Sequence, residues 1–241
     1  MLTKAKSQRP ERPRRFYKAV DAAEVDSGFG VLLDGRAVRT PQGVRLAVPT
    51  LALARLIAAE WEAQGEHIVV PDMHATRLAF TAADRADVAR EDVADAFARY
   101  AGSDVLCYFA EGPPSLVARQ EAQWGPLIDW ADQTLDLPLV RAAGVLHQAQ
   151  PPGTLERAKA LALELADYPL IGLAFGAPLF GSAVLALAVQ RDRLSGLEAL
   201  ELSRLDEAFQ QERWGVDAEA AARTARLRDE AQMLDRWFAA L

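Results

Sequence analysis

A chain of 241 residues, 51% apolar and 25% charged, has the composition of a globular protein and room for one large domain or two modest ones. Its net charge of -7 leaves no basic excess to displace counterions from phosphates, which argues against nucleic-acid binding. The single cysteine, Cys107, has no intramolecular disulfide partner, so nothing points to an oxidising compartment.

In chain order, residues 1–14 are basic, hold Pro10 and Pro13 and contain no apolar core of a secretory signal; they read as a disordered basic arm. Residues 16–48 predict a β-meander. Phe29 to Leu33 and Arg36 to Thr40 flank Asp34-Gly35, a dipeptide suited to a type I′ hairpin turn. Pro41-Gln42-Gly43 makes a second turn, after which Val44, Leu46 and Val48 alternate as in a half-buried strand. Thr50 is placed to cap a helix that Gly65 ends, with Leu53, Ile57 and Trp61 on one face, so Trp61 reads as a core anchor. His67 to Pro71 suggests a short strand.

Beyond it the spacing is helical over Asp84–Tyr100, Leu116–Leu135 and Leu155–Ala166. The uncharged run Pro169 to Gln190 is long enough to span a bilayer, yet Gly172, Gly176, Pro178 and Gly181 interrupt it. It predicts a buried helix, or two short ones meeting near Gly176-Ala177-Pro178, with small residues admitting close neighbours. Ser195 to Glu198 is a capping box opening a helix that Gly215 ends. Asp217 is placed to cap the last helix, striped by Leu227, Leu234, Trp237 and Leu241. The fold class is α+β: a small β-rich N-terminal domain over residues 15–85, then a larger, mainly α-helical domain over 86–241.

Catalytic signals are weak. His67, His74 and His147 lack zinc-ligand spacing, Cys107 sits in an apolar run that disfavours a thiolate, and no phosphate loop or nucleophile elbow occurs. No catalytic residue, cofactor or metal is expected. A small hydrolase or transferase using His74 with Asp72 or Asp84 stands as an alternative, as does a membrane-associated assembly factor using residues 169–190. The carboxylates near the C-terminus carry more information. On one helix from Leu197 to Trp214, residues Leu197, Leu200, Leu205, Ala208 and Phe209 form the apolar face. Leu200, Glu207 and Trp214 fall seven apart along its edge, framing Glu207 with apolar neighbours, while Asp206 points nearly opposite the core. Glu207 is then either an edge carboxylate paired with Arg204 or Arg213, or a charged contact within an apolar docking surface.

From Phe16 to Leu241 the residues resemble a known family. The N-terminal matches are Arg15-Phe16-Tyr17-Lys18, Leu33-Asp34-Gly35-Arg36 with Thr40-Pro41, Val48-Pro49, Glu60-Trp61 with Gln64, and Met73-His74 with Thr76 and Leu78. Asp104, Cys107-Tyr108, Leu116-Val117, Gln120, Trp124, Pro126 and Trp130 follow. The most specific block is Ser203-Arg204-Leu205-Asp206-Glu207 with Gln210 and Trp214-Gly215. Together they are similar to the ATP-twelve family, chaperones that hold the alpha subunit of F-type ATP synthase during assembly of its catalytic head. The chain departs from the pattern at Gly125, where an acid is usual, and at Asp104, where an acidic pair is reduced to one. The resemblance implies a two-part fold that is not an enzyme and needs no cofactor. Its implied partner is the ATP synthase alpha subunit, released when a beta subunit displaces the chaperone. It also implies partner-binding roles for Glu207, Asp206, Arg204 and Trp214; Trp61, at a family-motif position, keeps its folding role. We expect a monomer when free, with no nucleic acid and no stable membrane insertion, in a bacterial cytoplasm or, in a eukaryote, the mitochondrial matrix.

Overall fold

The computed structural model describes residues 12–144, 146–215 and 218–241. The chain divides into two compact units, one ending at Ala83 and one running Asp84–Leu241.

In the first unit, β1 (Val20–Val25) pairs antiparallel with β2 (Gly28–Leu33), Val20 opposite Leu33, and β2 pairs with β3 (Arg36–Ala37). Asp34 (φ 48°) and Gly35 (φ 78°) both take the positive φ that a type I′ turn demands. The Asp34 carboxylate also accepts the Ala19 and Lys18 N–H groups, tying the turn to the entry of β1 and holding its carboxyl below the ordinary range. Past Ala37 the meander continues only as isolated bridges, Arg39 with Arg45 and Phe29 with Val48, and Leu46 and Val48 turn inward while Val44 stays exposed.

The helix α1 (Leu51–Glu62) starts as expected, the Thr50 hydroxyl accepting the Leu53 N–H at 3.0 Å, with Leu53, Ile57 and Trp61 buried. It ends at Ala63 rather than at Gly65, and the Gln64 side chain binds back to Glu60. His67 to Pro71 is not a full strand. Arg14 bridges His67, then Val70–Asp72 winds into a 3-10 turn, because Pro71 has no N–H and the Val69 N–H is taken by the Gln64 side chain. Ile68 also donates to the Pro13 carbonyl, so residues 13 and 14, expected in the arm, join this unit; residues 1–11 lie outside the described residues.

Helix α2 (His74–Ala101) kinks at Ala89. In the second unit follow β4 (Tyr108–Phe109), α3 (Pro114–Leu135), β5 (Ala142–Ala143), parallel to β4, and α4 (Thr154–Leu163). The uncharged run becomes α5 (Asp167–Phe180) and α6 (Ala183–Gln190). Their junction is Gly181 (φ 63°) and Ser182, whose hydroxyl caps α6, not Gly176-Ala177-Pro178, and Pro178 rides inside α5. No helix among the described residues is long and apolar enough to cross a membrane.

Three helices complete the unit: α7 (Gly196–Ser203), α8 (Leu205–Trp214) and α9 (Ala218–Ala239). A Cβ at Gly172 would stand 2.6 Å from Trp237 Nε1, so glycine is what admits α9 to α5. The capping box at Ser195 and Glu198 is complete. The expected stripe on α9 buries Leu234 and Trp237, while the cap assigned to Asp217 lies outside the described residues.

Asp104 organises the interior. It is fully buried, one oxygen accepting the Leu106 N–H at 3.1 Å and the other the Val184 N–H at 3.0 Å, with the Ser182 hydroxyl also bonded to it. One side chain thus closes two helical starts 80 residues apart in sequence. Burial pushes its carboxyl up to about 6 against these donors. Neighbouring Cys107, also buried, is pushed to about 12 by desolvation and the Asp104 charge, which makes it an inert thiol.

Candidate functional site

The expected helix over 197–214 is broken. Arg204 (φ -112°, ψ 22°) separates α7 from α8, and the break resets the rotational phase of everything after it. Leu205 and Phe209 still point inward. Asp206, expected to face away from the core, instead turns towards α3 and is half-buried. Its Oδ1 accepts from Gln120 Nε2 at 2.7 Å, and Gln120, fully buried, accepts the Ala110 N–H on its Oε1 at 2.8 Å. Asp206 is therefore the outer end of a polar strut reaching from α8 through α3 to the loop after β4, and its burial raises its carboxyl above the ordinary range. The reading of one unbroken helix misplaced this residue.

Glu207 lies on the other side of α8. It forms an ion pair with Arg204, one of the two partners the sequence offered; the other, Arg213, lies over the Phe209 ring at 4.2 Å. The pair is lopsided: the Glu207 side chain is 56% exposed and that of Arg204 only 19%. Both residues line a cleft of about 520 Å3 between α7–α8 and α9. Leu194, Leu200, Leu202, Leu205 and Ala208 supply its apolar lining. Arg228 reaches from α9 to Glu201 at 3.3 Å, and Arg119 of α3 reaches Glu212 at 2.8 Å. Exposed pairs of this kind contribute little and exchange readily. Trp214 is not in the cleft lining but stands at the end of α8, 83% exposed. The structure thus brings Arg204 and Glu207 together, sets Trp214 on the same helix and turns Asp206 to a different neighbour.

Two contributors had no role assigned from the sequence, although Gln120 stood among the family matches. Gln120 carries no local pattern that would announce a partner 86 residues away. The α9 wall, with Thr224 and Arg228, follows from the tertiary arrangement and not from any motif.

Trp61 belongs to the interior of the first unit, 8% exposed, with the Tyr17 ring edge-on at 5.8 Å and the Tyr17 hydroxyl donating to the Trp61 carbonyl at 2.7 Å. Beside it, Glu60 accepts the Ala75 and Thr76 N–H groups and the Thr76 hydroxyl, an anion at the start of α2. His74 opens that helix with Nδ1 buried and unpaired, but the cleft of about 360 Å3 in this unit is lined by His67 and Asp72 and not by His74. Among the described residues no group of three His, Cys, Asp or Glu side chains is placed to hold a metal ion.

Known proteins match this arrangement. Residues 14–132 match the family described as ATP12 chaperone protein. The crystal structure of Atp12 from Paracoccus denitrificans shares 39% identity and superimposes with a TM-score of 0.85, over 94% of this chain and 97% of that one; an aspartate-to-lysine variant of that protein matches equally. A protein from Agrobacterium tumefaciens, 36% identical, gives a TM-score of 0.88 over 95% of this chain and 86% of that one. Protein atp12 of Schizosaccharomyces pombe, named as mitochondrial, is 26% identical over 227 residues, 88% of this chain and 78% of its own length. The family is named for chaperones and not for an enzyme. With two solved relatives above 30% identity matched over most of their length, this chain belongs to the ATP12 chaperone family.

Proposed function

We infer that the chain is an assembly chaperone of F-type ATP synthase, holding the unassembled alpha subunit until a beta subunit displaces it. An unassembled alpha subunit exposes the surface meant for its beta neighbour, and such a surface invites non-productive association. Covering part of it prevents that, and competition by a larger interface supplies the direction without nucleotide hydrolysis.

The observation that carries the reading is the surface of α8 in a member of this family. Glu207 leans over a leucine-lined cleft, and Trp214 projects from the last turn with 83% of its surface in solvent. Exposed tryptophan beside apolar lining and a charged rim is the composition of a protein-binding hot spot. Of the two carboxylates implied by the family resemblance, Glu207 is the contact and Asp206 its support, since Asp206 is engaged by Gln120. Arg204 holds Glu207 in place. The chain works as a free monomer, in a bacterial cytoplasm or a mitochondrial matrix.

The test is co-purification with separately expressed alpha and beta subunits of the same organism. Capture of alpha that is lost on adding beta is the expected result. Failure to capture soluble, unassembled alpha would overturn the reading.

A further inference from the structure

Helix α3 grips both sides of the break at Arg204. Gln120 and Trp124, one helical turn apart and so on one face of α3, are both fully buried. Gln120 holds the Asp206 side chain just after the break, and Trp124 Nε1 donates to the Leu202 carbonyl just before it, at 3.0 Å. The Trp124 ring stands edge-on to Phe109 at 5.6 Å, so the indole is fixed from behind. In an unbroken helix the Leu202 carbonyl would serve the Asp206 N–H, four residues on. Residues 202–207 hold neither proline nor glycine, so local propensity favours that continuation. The backbone departs from it all the same. The Arg204 N–H splits between the Leu200 and Glu201 carbonyls at 3.2 and 3.3 Å, as at a helix end. The interruption is thus imposed by the surroundings, and a side chain inserted into the hydrogen-bond ladder is a sufficient cause. Trp124 is the buried donor that claims a carbonyl there. A buried indole N–H left unpaired costs more than one helical hydrogen bond contributes.

We propose that Trp124 is a positioning residue for partner binding: by taking the Leu202 carbonyl it keeps α7 and α8 apart at Arg204 and so turns Glu207 to the partner. The proposal rests on the reading that Glu207 meets the alpha subunit. A helix continued through Arg204 at about 100° per residue sets Asp206 nearly opposite the core, off Gln120, and turns Glu207 with it. The break is therefore what allows one helix to send Asp206 to α3 and Glu207 to the cleft while Leu205 and Phe209 stay inside. Trp124 and Gln120 divide the work. Gln120 acts beyond the break and only on Asp206, so its loss leaves the break in place. Loss of the Trp124 donor frees the Leu202 carbonyl for the helix ladder, and the break closes. Trp124 touches no partner; it acts through the backbone that carries Glu207.

The test uses the full chain. W124F keeps an aromatic ring against Phe109 and deletes the donor. The NMR Cα shift of Arg204 reports the break, since a continuous helix moves it into the helical range. In W124F that shift should become helical and alpha capture should weaken about tenfold or more. Adding S203G to W124F disfavours a helix through the break and should restore both the wild-type shift and most of the lost capture, although it lowers the melting temperature further. A merely structural defect gives the reverse, a double variant that binds alpha less well than W124F. S203A probes the same equilibrium with every ring in place. It deletes the Ser203 hydroxyl that donates to the Leu200 carbonyl at 2.8 Å and raises helix propensity, so it should move the Arg204 shift the same way and weaken capture about threefold. W124F that keeps a non-helical Arg204, or that binds alpha at wild-type strength with a helical one, would overturn the proposal while leaving alpha as the partner. So would a loss of capture that S203G deepens. Should W124F fail to fold, S203A decides, and a helical Arg204 with undiminished capture overturns the proposal. Alpha not captured by the wild-type chain would remove the underlying reading and the positioning role with it.

Discussion

The interior around Trp61 and the rim around Glu207 make an instructive pair. Each contains a tryptophan and a glutamate within fifteen residues, each at positions that resemble the same family, and the physics is opposite. Trp61 is buried against Tyr17, and its neighbour Glu60 accepts three hydrogen bonds from the start of α2. Trp214 stands in solvent, and Glu207 meets Arg204 across a pair that is open to solvent on the glutamate's side. A motif position therefore says that a residue matters, whereas burial and partner count say whether it matters to folding or to binding.

The sharpest way to break that contrast is charge in the first interior. Trp61→Arg removes a large buried ring and leaves a cation without a partner, which should cost at least about 4 kcal/mol and leave most of the protein insoluble. Urea unfolding of whatever remains soluble measures it. A loss under about 1 kcal/mol would mean that Trp61 is not the anchor of its unit.

Next in size is Asp104→Ala, which orphans the Leu106 and Val184 N–H groups in the interior at a cost of about 2–4 kcal/mol. Asp104 also gives a pH signature. Its folded-state carboxyl, at about 6, lies above the ordinary 3.8, so the folded chain holds the proton more tightly than the unfolded one. The stability this group contributes is complete below about 4 and is lost as pH rises through about 6. The urea midpoint of the wild type, minus that of Asp104→Ala, should therefore fall between pH 4 and pH 6.5. A difference independent of pH would show that the donors around Asp104 fully offset its burial, and one that rises with pH that they outweigh it.

These two residues also mark how much the sequence discloses. The hairpin at Asp34-Gly35, the Thr50 cap, the capping box at Ser195 and the Trp61 face were legible because each is decided within a few residues by turn geometry or helical period. Asp104 was quoted only as a family match, because its donors at Val184 and Ser182 lie about 80 residues away. The break at Arg204 was invisible for a related reason. It contains neither proline nor glycine, so local propensity continues the helix and the interruption shows only in the folded backbone. The error then propagated: a helical wheel drawn through the break put Asp206 in solvent, where the folded chain puts it on Gln120. At α5 the glycines did double service. Gly172 and Gly176 make room for α9, and only Gly181 turns the chain, so three like residues in one run gave no means of choosing the corner.

A smaller effect refines the comparison within α8 itself. Gln120→Leu leaves the half-buried Asp206 carboxylate and the Ala110 N–H without their partner and should cost about 1–2 kcal/mol, seen as a lower urea midpoint with an unchanged slope. It should also weaken alpha capture less than it weakens folding, since Asp206 supports the rim without forming it. Equal losses would make Asp206 a contact in its own right.

The smallest effect on stability belongs to Glu207→Lys, and there the two regions should part completely. The side chain is mostly in solvent, so exchanging its charge should move unfolding by no more than about 1 kcal/mol, most of it from leaving the sheltered Arg204 unpaired. The lysine then faces Arg204 with like charge and reverses the charge the rim offers a partner, which should lower alpha capture about tenfold or more, a change of about 1.4 kcal/mol in binding. Raising the salt concentration should narrow the gap between wild type and variant, because a rim charge acts through a screened field. Stability and capture read on the same preparation give the decisive ratio. If Glu207→Lys unfolds as readily as Trp61→Arg, the rim is another piece of interior and the distinction between the two tryptophan–glutamate pairs collapses. If it stays folded and loses the partner, exposure has correctly sorted a binding carboxylate from a folding one.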